Sequence, residues 1–141
     1  MTRFKNAAVK SMVVMRKAFR TIDAKVSEPF KEFGLTTTQF GVLDVLYAKG
    51  ELTIGELIES MLATSGNMTV VIKNMEKKGW VTRVTCPTDK RAYLVSLTEE
   101  GESLIKKALP KHIAAVEETF SVLTESEQET LIELLKKFKN V

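Results

Sequence analysis

Residues 53–77 hold two short amphipathic helical patterns with almost no chain between them, and this spacing constrains the fold most. Thr53 and Glu56 form a capping box at the start of the first helix, in which each side chain bonds the other's backbone N–H. Both patterns place apolar residues at the i, i+3, i+4 and i+7 positions of one helix face: Ile54, Leu57, Ile58 and Met61, then Met68, Val71, Ile72 and Met75. Thr64 or Ser65 is predicted to cap the second helix. Because little more than Leu62 and Ala63 separates the patterns, the helices must cross, which predicts a helix-turn-helix.

The outer face of the second helix is basic and rich in amides. It is formed by Gly66, Asn67, Val70, Lys73, Asn74 and Lys77. In a DNA major groove, Asn pairs with adenine, Lys reaches guanine or phosphate, and a valine methyl packs against a thymine methyl. An ordinary solvated helix also carries lysines and amides, and a basic patch is a weak signal by itself. This face alone therefore leaves DNA binding and a plain surface as open alternatives.

The chain after Gly79 changes from a helical to an alternating pattern. Gly79 is suited to end the second helix. Residues 80–85 and 92–97 are rich in β-branched and aromatic side chains, and residues 86–91 separate them. Pro87 is placed where no ladder hydrogen bond is required. We therefore predict a β-hairpin whose tip is formed by residues 86–91.

The predicted hairpin tip is basic. It carries Lys90 and Arg91, and Asp89 is placed to orient the Arg91 guanidinium through a charge-assisted hydrogen bond. Arginine suits a narrow minor groove, where the negative potential is enhanced. A basic hairpin beside such a helix predicts a winged helix, in which the helix reads the major groove and the wing reaches the neighbouring minor groove.

Several motifs in a fixed order carry a family resemblance. They are Leu35-Thr36-x-x-Gln39-x-x-Val42-Leu43, Thr53-x-x-Glu56-Leu57, Met68-Thr69, Met75-Glu76-Lys77-Lys78-Gly79-Trp80-Val81, Asp89-Lys90-Arg91 and Leu97-Thr98-x-x-Gly101. Together with both terminal helices, they make nearly the whole chain resemble the MarR family of bacterial transcriptional regulators. Val70 and Lys90 depart from the pattern, since the family commonly has Arg at both positions, and these departures bear on the operator sequence.

The resemblance implies a cytoplasmic homodimer that binds a pseudo-palindromic operator in double-stranded DNA. Repression is the commoner mode it implies, with release by a small, largely apolar or aromatic effector. The residues expected to bind DNA are Thr64, Ser65, Asn67, Thr69, Val70, Lys73, Asn74, Lys77, Lys90 and Arg91, with Asp89 supporting the wing. The implied effector pocket lies where the DNA-binding lobe meets the dimerisation helices, near Phe19, Phe33, Phe40 and Tyr47.

The chain is predicted to be one domain of 141 residues, mainly α with a small β-hairpin. The winged helix-turn-helix lobe is assigned to residues 36–97, and the dimerisation helices to 1–33 and 98–141. The first helix alternates apolar residues by threes and fours, as helices packed along another helix do: Val9, Met12, Met15, Phe19, Ile22 and Val26. The terminal helices could pack within one monomer, but the two-fold symmetry of palindromic DNA favours burial between two chains.

Local signals predict where the other helices begin and end. Capping boxes begin a helix at Thr36 and the last helix at Thr124, and Gly50 ends the former. Pro29 is predicted to kink or restart the first helix, because its ring does not fit an uninterrupted turn. Thr98 is predicted to cap a long helix after the hairpin.

Charge is concentrated in the predicted DNA-binding region. The chain has a net charge of +3 and 44% hydrophobic residues, enough for a core. Residues 73–91 carry a net +4, so the remainder is near neutral, a distribution that suits phosphate contact. No apolar run approaches membrane-spanning length, and no signal-peptide pattern is expected at the N-terminus. The single cysteine excludes an internal disulfide and fits a reducing cytoplasm.

Enzymatic and metal-binding functions find little support. His112 is the only histidine and has no Cys or acid at ligand spacing, so we expect a surface residue and no zinc. Neither a glycine-rich phosphate loop nor a nucleophile elbow is present, and no cofactor is expected. The alternative is a winged-helix module for protein interaction or dimerisation without DNA affinity. Such a module would have a neutral or acidic second helix and a wing without Arg, the reverse of this chain.

Cys86 leaves two interpretations open. One branch of the MarR family senses oxidants through a Cys near the start of its first helix, and this chain has no Cys before position 86. Arg83, three residues away, could lower the pKa of the Cys86 thiol and make it reactive. The alternative is a small packing residue. Because a single thiol without a resolving partner is a poor switch, we expect Cys86→Ser to bind DNA normally.

Overall fold

The computed structural model describes residues 5–61 and 67–138, which form two compact units. One unit is formed by the segments before Pro29 and after Lys111, and the other by Pro29–Lys111. The elements follow one another as α1 (Ala7–Ser27), a 3-10 helix (Glu28–Phe33), α2 (Thr37–Lys49), β1 (Leu52–Thr53), α3 (Ile54–Met61), α4 (Met68–Lys77), β2 (Val81–Cys86), β3 (Asp89–Leu97), α5 (Glu99–Phe120) and α6 (Glu125–Lys136). The predicted fold class, mainly α with a small β structure, is confirmed.

Most of the predicted helix ends are confirmed. The Thr36–Gln39 pair forms a reciprocal capping box, with N–O distances of 3.0 and 3.1 Å. Thr53–Glu56 and Thr124–Glu127 do the same at the starts of α3 and α6. Gly50 and Gly79 follow α2 and α4 at φ 81° and 80°, in the left-handed region that favours glycine. These ends are specified locally, which explains why the sequence predicted them.

The β structure is larger than the predicted hairpin. An antiparallel sheet of three strands has the order β1-β3-β2. Leu52 and Thr53 of β1 pair with Val95 and Leu94 of β3. A two-residue strand has no alternating pattern, and Thr53 is also the cap of α3, so no sequence signal indicated β1. The hairpin of β2 and β3, here called the wing, is thereby joined on one edge to the chain that enters α3.

The unit from Pro29 to Lys111 contains the winged helix and its core. Fully buried side chains from α2, α3, α4, the sheet and α5 form this core: Leu43, Leu57, Ile72, Met75, Val81, Val95 and Ile105. The start of α5 is tied to the base of the wing, because the Thr98 Oγ1 donates to the Gly79 carbonyl at 2.6 Å and accepts from the Gly101 N–H at 3.0 Å. The first part of α5 therefore belongs to this unit, which extends beyond the predicted 36–97 lobe.

The other unit consists of α1, the last part of α5 and α6. His112 lies here and is half-buried, and its Nδ1 is 2.8 Å from the Val26 carbonyl oxygen, so the prediction of a plain surface residue was wrong. Sequence spacing could not reveal this contact, because its partners are far apart in the chain. Across residues 5–61 and 67–138, no cluster of three or more His, Cys, Asp or Glu side chains could hold a metal ion. No helix in these ranges is both long and apolar enough to span a membrane.

Candidate nucleic-acid interface

Helix α4 buries one face and exposes the other. Met68, Ile72 and Met75 are buried in the core. The opposite face consists of six exposed residues: Asn67, Thr69, Val70, Lys73, Asn74 and Lys77. Val70 is 55% exposed, although valine is normally an interior residue. The exposed face therefore offers amide, hydroxyl, ammonium and methyl groups, the mixture that contacts base edges and phosphates.

The described part of α4 begins at Met68, with Asn67 at the N-cap. The Asn67 side chain makes no capping hydrogen bond. The predicted caps, Thr64 and Ser65, lie outside the described residues, as do Gly66 and the predicted Leu62–Ala63 connection.

The wing has a shorter turn than predicted. Only Pro87 and Thr88 connect β2 to β3, whereas the sequence placed all of residues 86–91 in the tip. The alternating pattern ended at Thr85 because Pro87, Asp89 and the charged residues after it are poor strand formers. The structure extends both strands beyond that point.

The pairing of the two wing strands is irregular near the turn. Cys86 pairs with Asp89, whereas its neighbour Thr85 pairs with Tyr93. Thr85 and Cys86 are adjacent in β2, whereas their partners in β3 are four residues apart. The three residues between those partners, Lys90, Arg91 and Ala92, have no Cα partner in β2. Such a bulge disrupts the ladder locally and redirects side chains. Lys90 and Arg91, the two basic residues of β3, are both exposed at this bulge.

Asp89 contacts Arg91 in two ways. Its Oδ1 accepts a hydrogen bond from the Arg91 backbone N–H at 3.0 Å and lies 3.5 Å from the Arg91 Nε. The Arg91 side chain remains 93% exposed. Asp89 thus fixes the backbone at this position, while the two NH2 groups of the guanidinium are left open to solvent. An exposed guanidinium on an ordered backbone is available to an incoming anion or base edge.

Arg83 is less exposed than the sequence indicated. It was counted among the basic surface charges and as the neighbour of Cys86, but its side chain is only 18% exposed. It lies instead between Glu76 of α4 and the ring of Tyr93. Strand alternation could have revealed this position, since Arg83 is two residues from the buried Val81 and shares its face of the sheet.

Cys86 is half-buried beside the wing turn. Its Sγ lies 3.3 Å from the Thr88 Oγ1, and this hydrogen bond lowers the pKa of the Cys86 thiol from its ordinary value. The physical cause is therefore the neighbouring hydroxyl, with a smaller contribution from the Thr88 backbone, and not the Arg83 cation invoked from the sequence. No second thiol of the same chain can pair with it, because the sequence has a single cysteine.

The four aromatic residues expected at an effector pocket have different environments. Phe40 is 5% exposed and stacks on Phe30 with ring centroids 4.3 Å apart, so it belongs to the core and not to a pocket wall. Phe19 is 65% exposed on α1, and Tyr47 is 41% exposed on α2. Phe33 is half-buried and lines a groove of about 590 Å³, with Trp80, Glu99, Glu100, Ser103, Leu104 and Lys107.

This arrangement of α3, α4 and a wing defines a winged helix-turn-helix protein, and comparisons with known proteins identify the family. The MarR family model matches residues 35–93. The HTH-type transcriptional regulator MhqR of Bacillus subtilis is 34% identical over 130 residues, covering 92% of this chain and 90% of that protein. The chain therefore belongs to the MarR family of transcriptional regulators.

Solved structures give the same result. A MarR-like transcription regulator from Bacillus cereus has a TM-score of 0.85 at 28% identity, with 92% of this chain and 94% of that one covered. A mutant of MarR from E. coli, complexed with operator DNA, has a TM-score of 0.84 at 27% identity, with 96% of each chain covered. The assignment as a transcriptional regulator, and not an enzyme, is confirmed by these relatives.

Proposed function

We propose that the protein is a cytoplasmic homodimeric repressor that binds a pseudo-palindromic operator. In this proposal α4 enters the major groove and Arg91 of the wing enters the adjacent minor groove. The observation that carries it is the exposed face of α4, where Lys73 and Lys77 flank Val70 and Asn74. The one acid of α4, Glu76, is paired with Arg83. An operator complex is known for the E. coli MarR mutant, which has the same fold.

The dimer is supported by the apolar surface of the terminal helices. Neither α1 nor α6 has a buried residue, although both are amphipathic. An apolar groove of about 760 Å³ is lined by Val14, Phe19, Ile22, Phe120 and Leu135, among others. Such a surface marks an interaction site on a stable protein. A second copy is the partner that the function requires, because each winged helix reads one half-site of a two-fold operator.

Release by a small effector is the remaining part of the proposal. The groove at Phe33 and Trp80 has a volume of about 590 Å³, within the range of pockets that hold small molecules. Leu104 adds apolar surface, and the polar part of the lining comes from Glu99, Glu100, Ser103 and Lys107. A small, largely apolar or aromatic molecule fits the part formed by Phe33, Trp80 and Leu104. Trp80 directly precedes the first residue of β2, so a ligand in this groove would contact the base of the wing.

The proposed minor-groove contact is tested by Arg91→Ala. We expect this change to weaken specific DNA binding by about 1–3 kcal/mol, the scale of one specifying Arg contact. Folding should be unaffected, since the side chain is 93% exposed. The measurement is titration of an operator fragment recovered from random duplex DNA. Lys106→Ala, which removes an exposed cation from α5, is the control. Equal affinities of Arg91→Ala and the wild type would exclude the minor-groove role.

A second prediction separates phosphate contacts from base contacts on α4. Lys77 lies at the C-terminal end of the helix and should meet a phosphate, so Lys77→Ala should weaken binding to all sequences alike and reduce the salt slope by about one. Val70→Ala should instead lower discrimination at a thymine and leave the salt slope unchanged, because it removes a methyl contact and no charge. Each variant is thus the control for the other. Identical salt slopes for Lys77→Ala and the wild type would refute the phosphate assignment.

A further inference from the structure

Three side chains connect α4 to both strands of the wing. The Arg83 Nη2 of β2 is 3.4 Å from the Glu76 Oε1 of α4, and its guanidinium carbon is 4.6 Å from the centroid of the Tyr93 ring of β3. All three residues belong to the unit from Pro29 to Lys111. We call this set the bridge.

The register of the sheet explains why an arginine occupies this position. Arg83 pairs with the fully buried Val95, and the next inward-facing residue of β2 is the buried Val81. Tyr93 lies two residues from Val95 and therefore shares its face. The bridge therefore lies at the edge of the core, where the inward-facing residues of the wing change from buried to partly exposed. There the apolar stem of arginine packs against its neighbours while its head reaches an acid.

The Arg83 guanidinium makes few polar contacts for a side chain that is so well buried. Among the described residues, the Arg83 Nε is buried without a hydrogen-bond partner. A single ion pair and one ring contact therefore hold the guanidinium, instead of the two parallel hydrogen bonds that arginine makes with a carboxylate at its strongest sites. Through these contacts, α4 is joined to β2 by the ion pair and to β3 by the ring contact.

We propose that Arg83 is a positioning residue for DNA binding, which fixes the wing relative to α4 by joining Glu76 to Tyr93. This inference rests on the proposed function, in which α4 and Arg91 bind the same duplex. Strand β1 pairs only with Leu94 and Val95, so the part of the wing beyond them is a two-stranded hairpin, which is marginally stable by itself. Without the bridge, that outer part must be ordered when DNA binds. That ordering reduces affinity, whereas a wing held in place beforehand avoids this loss.

A direct phosphate contact by Arg83 is the competing explanation, and exposure argues against it. The Arg83 side chain is 18% exposed and already faces a carboxylate, whereas Arg91 is 93% exposed. The bridge also accounts for Glu76, an acid on a helix whose exposed face is otherwise basic. In isolation its charge would oppose phosphate binding, yet it carries the contact to the wing.

Glu76→Gln changes DNA affinity in opposite directions under the two explanations, the bridge and the effect of net charge alone. Removing a negative charge near phosphates should strengthen DNA binding if only net charge matters. The bridge predicts weaker binding by about two- to fivefold, the range that a partly exposed ion pair spans. Glu102→Gln is the matched control, because it breaks an ion pair of the same 3.4 Å length within α5, with neither partner in α4 or in the wing. Affinity is measured by titration of the selected operator fragment, with thermal midpoints recorded for every variant.

A double-mutant cycle tests whether the bridge acts through the wing. In the Arg91→Ala background, the weakening by Glu76→Gln should disappear, since the contact that the bridge positions is already lost. Arg83→Lys should weaken binding of the wild-type wing without changing the salt slope, because lysine keeps the charge and loses the planar stack on Tyr93. Full additivity in the cycle, or binding by Arg83→Lys equal to that of the wild type, would overturn the proposal.

The outcomes separate this inference from the proposed function. If the wild type binds operator DNA and Arg91→Ala weakens that binding, the function stands. Equal or tighter binding by Glu76→Gln would then reject the bridge alone. Absence of specific binding by the wild type would reject both.

Discussion

Replacing Gly101 with alanine is expected to lower the free energy of unfolding by about 3 kcal/mol or more, the upper range for overpacking. A Cβ at this position would overlap the Trp80 carbonyl oxygen, and it would lie 3.0 Å from the Trp80 carbonyl carbon and 3.3 Å from the Leu97 Cδ2. The carbonyl oxygen cannot easily move, because it accepts a hydrogen bond from the Thr98 N–H at 3.1 Å. The start of α5 would have to separate from the base of the wing.

Thermal unfolding measures this effect, and the midpoint should fall by roughly 10 °C. Gly55→Ala is the matched control, since Gly55 lies in α3 and the nearest atom to its added Cβ would be 3.9 Å away. That control should be neutral or stabilising, because alanine is the better helix former. A stable Gly101→Ala variant would show that α5 does not approach Trp80 as closely as described.

Phe19→Glu is expected to have the second largest effect, on assembly. The proposed interface contains Phe19 twice, once from each copy, and a buried aromatic at an interface typically contributes about 2 kcal/mol. The dimer dissociation constant should therefore rise by about a thousandfold, and operator affinity should fall with it. The side chain is 65% exposed within the single chain, so folding of the monomer should be retained.

Sedimentation equilibrium gives the mass of the variant directly. Val84→Glu serves as the control, because Val84 is an exposed apolar residue of the wing and lies outside the terminal helices. Its dimer mass should equal that of the wild type. If Phe19→Glu also sediments as a dimer, this part of α1 is not the interface.

Features specified by neighbouring residues were predictable from the sequence. The capping boxes at Thr36, Thr53 and Thr124 each need only two side chains three residues apart, and all three are present. The buried and exposed faces of α4 followed from helical periodicity alone. In each case the spacing within one element determines the outcome, so no knowledge of distant contacts was required.

Features that depend on distant contacts were missed. Strand β1 is only two residues long and exists through its pairing with Leu94 and Val95. Phe40 was assigned to an effector pocket, yet it packs on Phe30 inside the core. Arg83 was counted as a surface charge. Strand alternation could have indicated its inward position, but not its contact with Glu76 of α4. Composition indicates which types of residue lie at a surface. Contacts between elements that are distant in the chain determine which of those side chains remain available to bind DNA.

The candidate site was predictable in composition and less so in geometry. Lys90 and Arg91 were expected at a hairpin tip, and they are exposed beside a turn of only two residues. Their bulge could not be foreseen, because strand register depends on how Tyr93 and Thr85 pair. The Asp89–Arg91 contact was foreseeable, since its members are two residues apart.

Selection of bound fragments from random duplex DNA by the purified wild-type protein tests the central claim most directly. A homodimeric winged-helix regulator should recover one pseudo-palindromic sequence, whose half-site centres are about 10 base pairs apart or a multiple of that distance. Chemical protection should cover major-groove edges within each half-site and a minor groove beside each one. Recovery of unrelated fragments without a shared palindrome, or of none, would contradict the assignment of α4 and the wing as a sequence-reading surface.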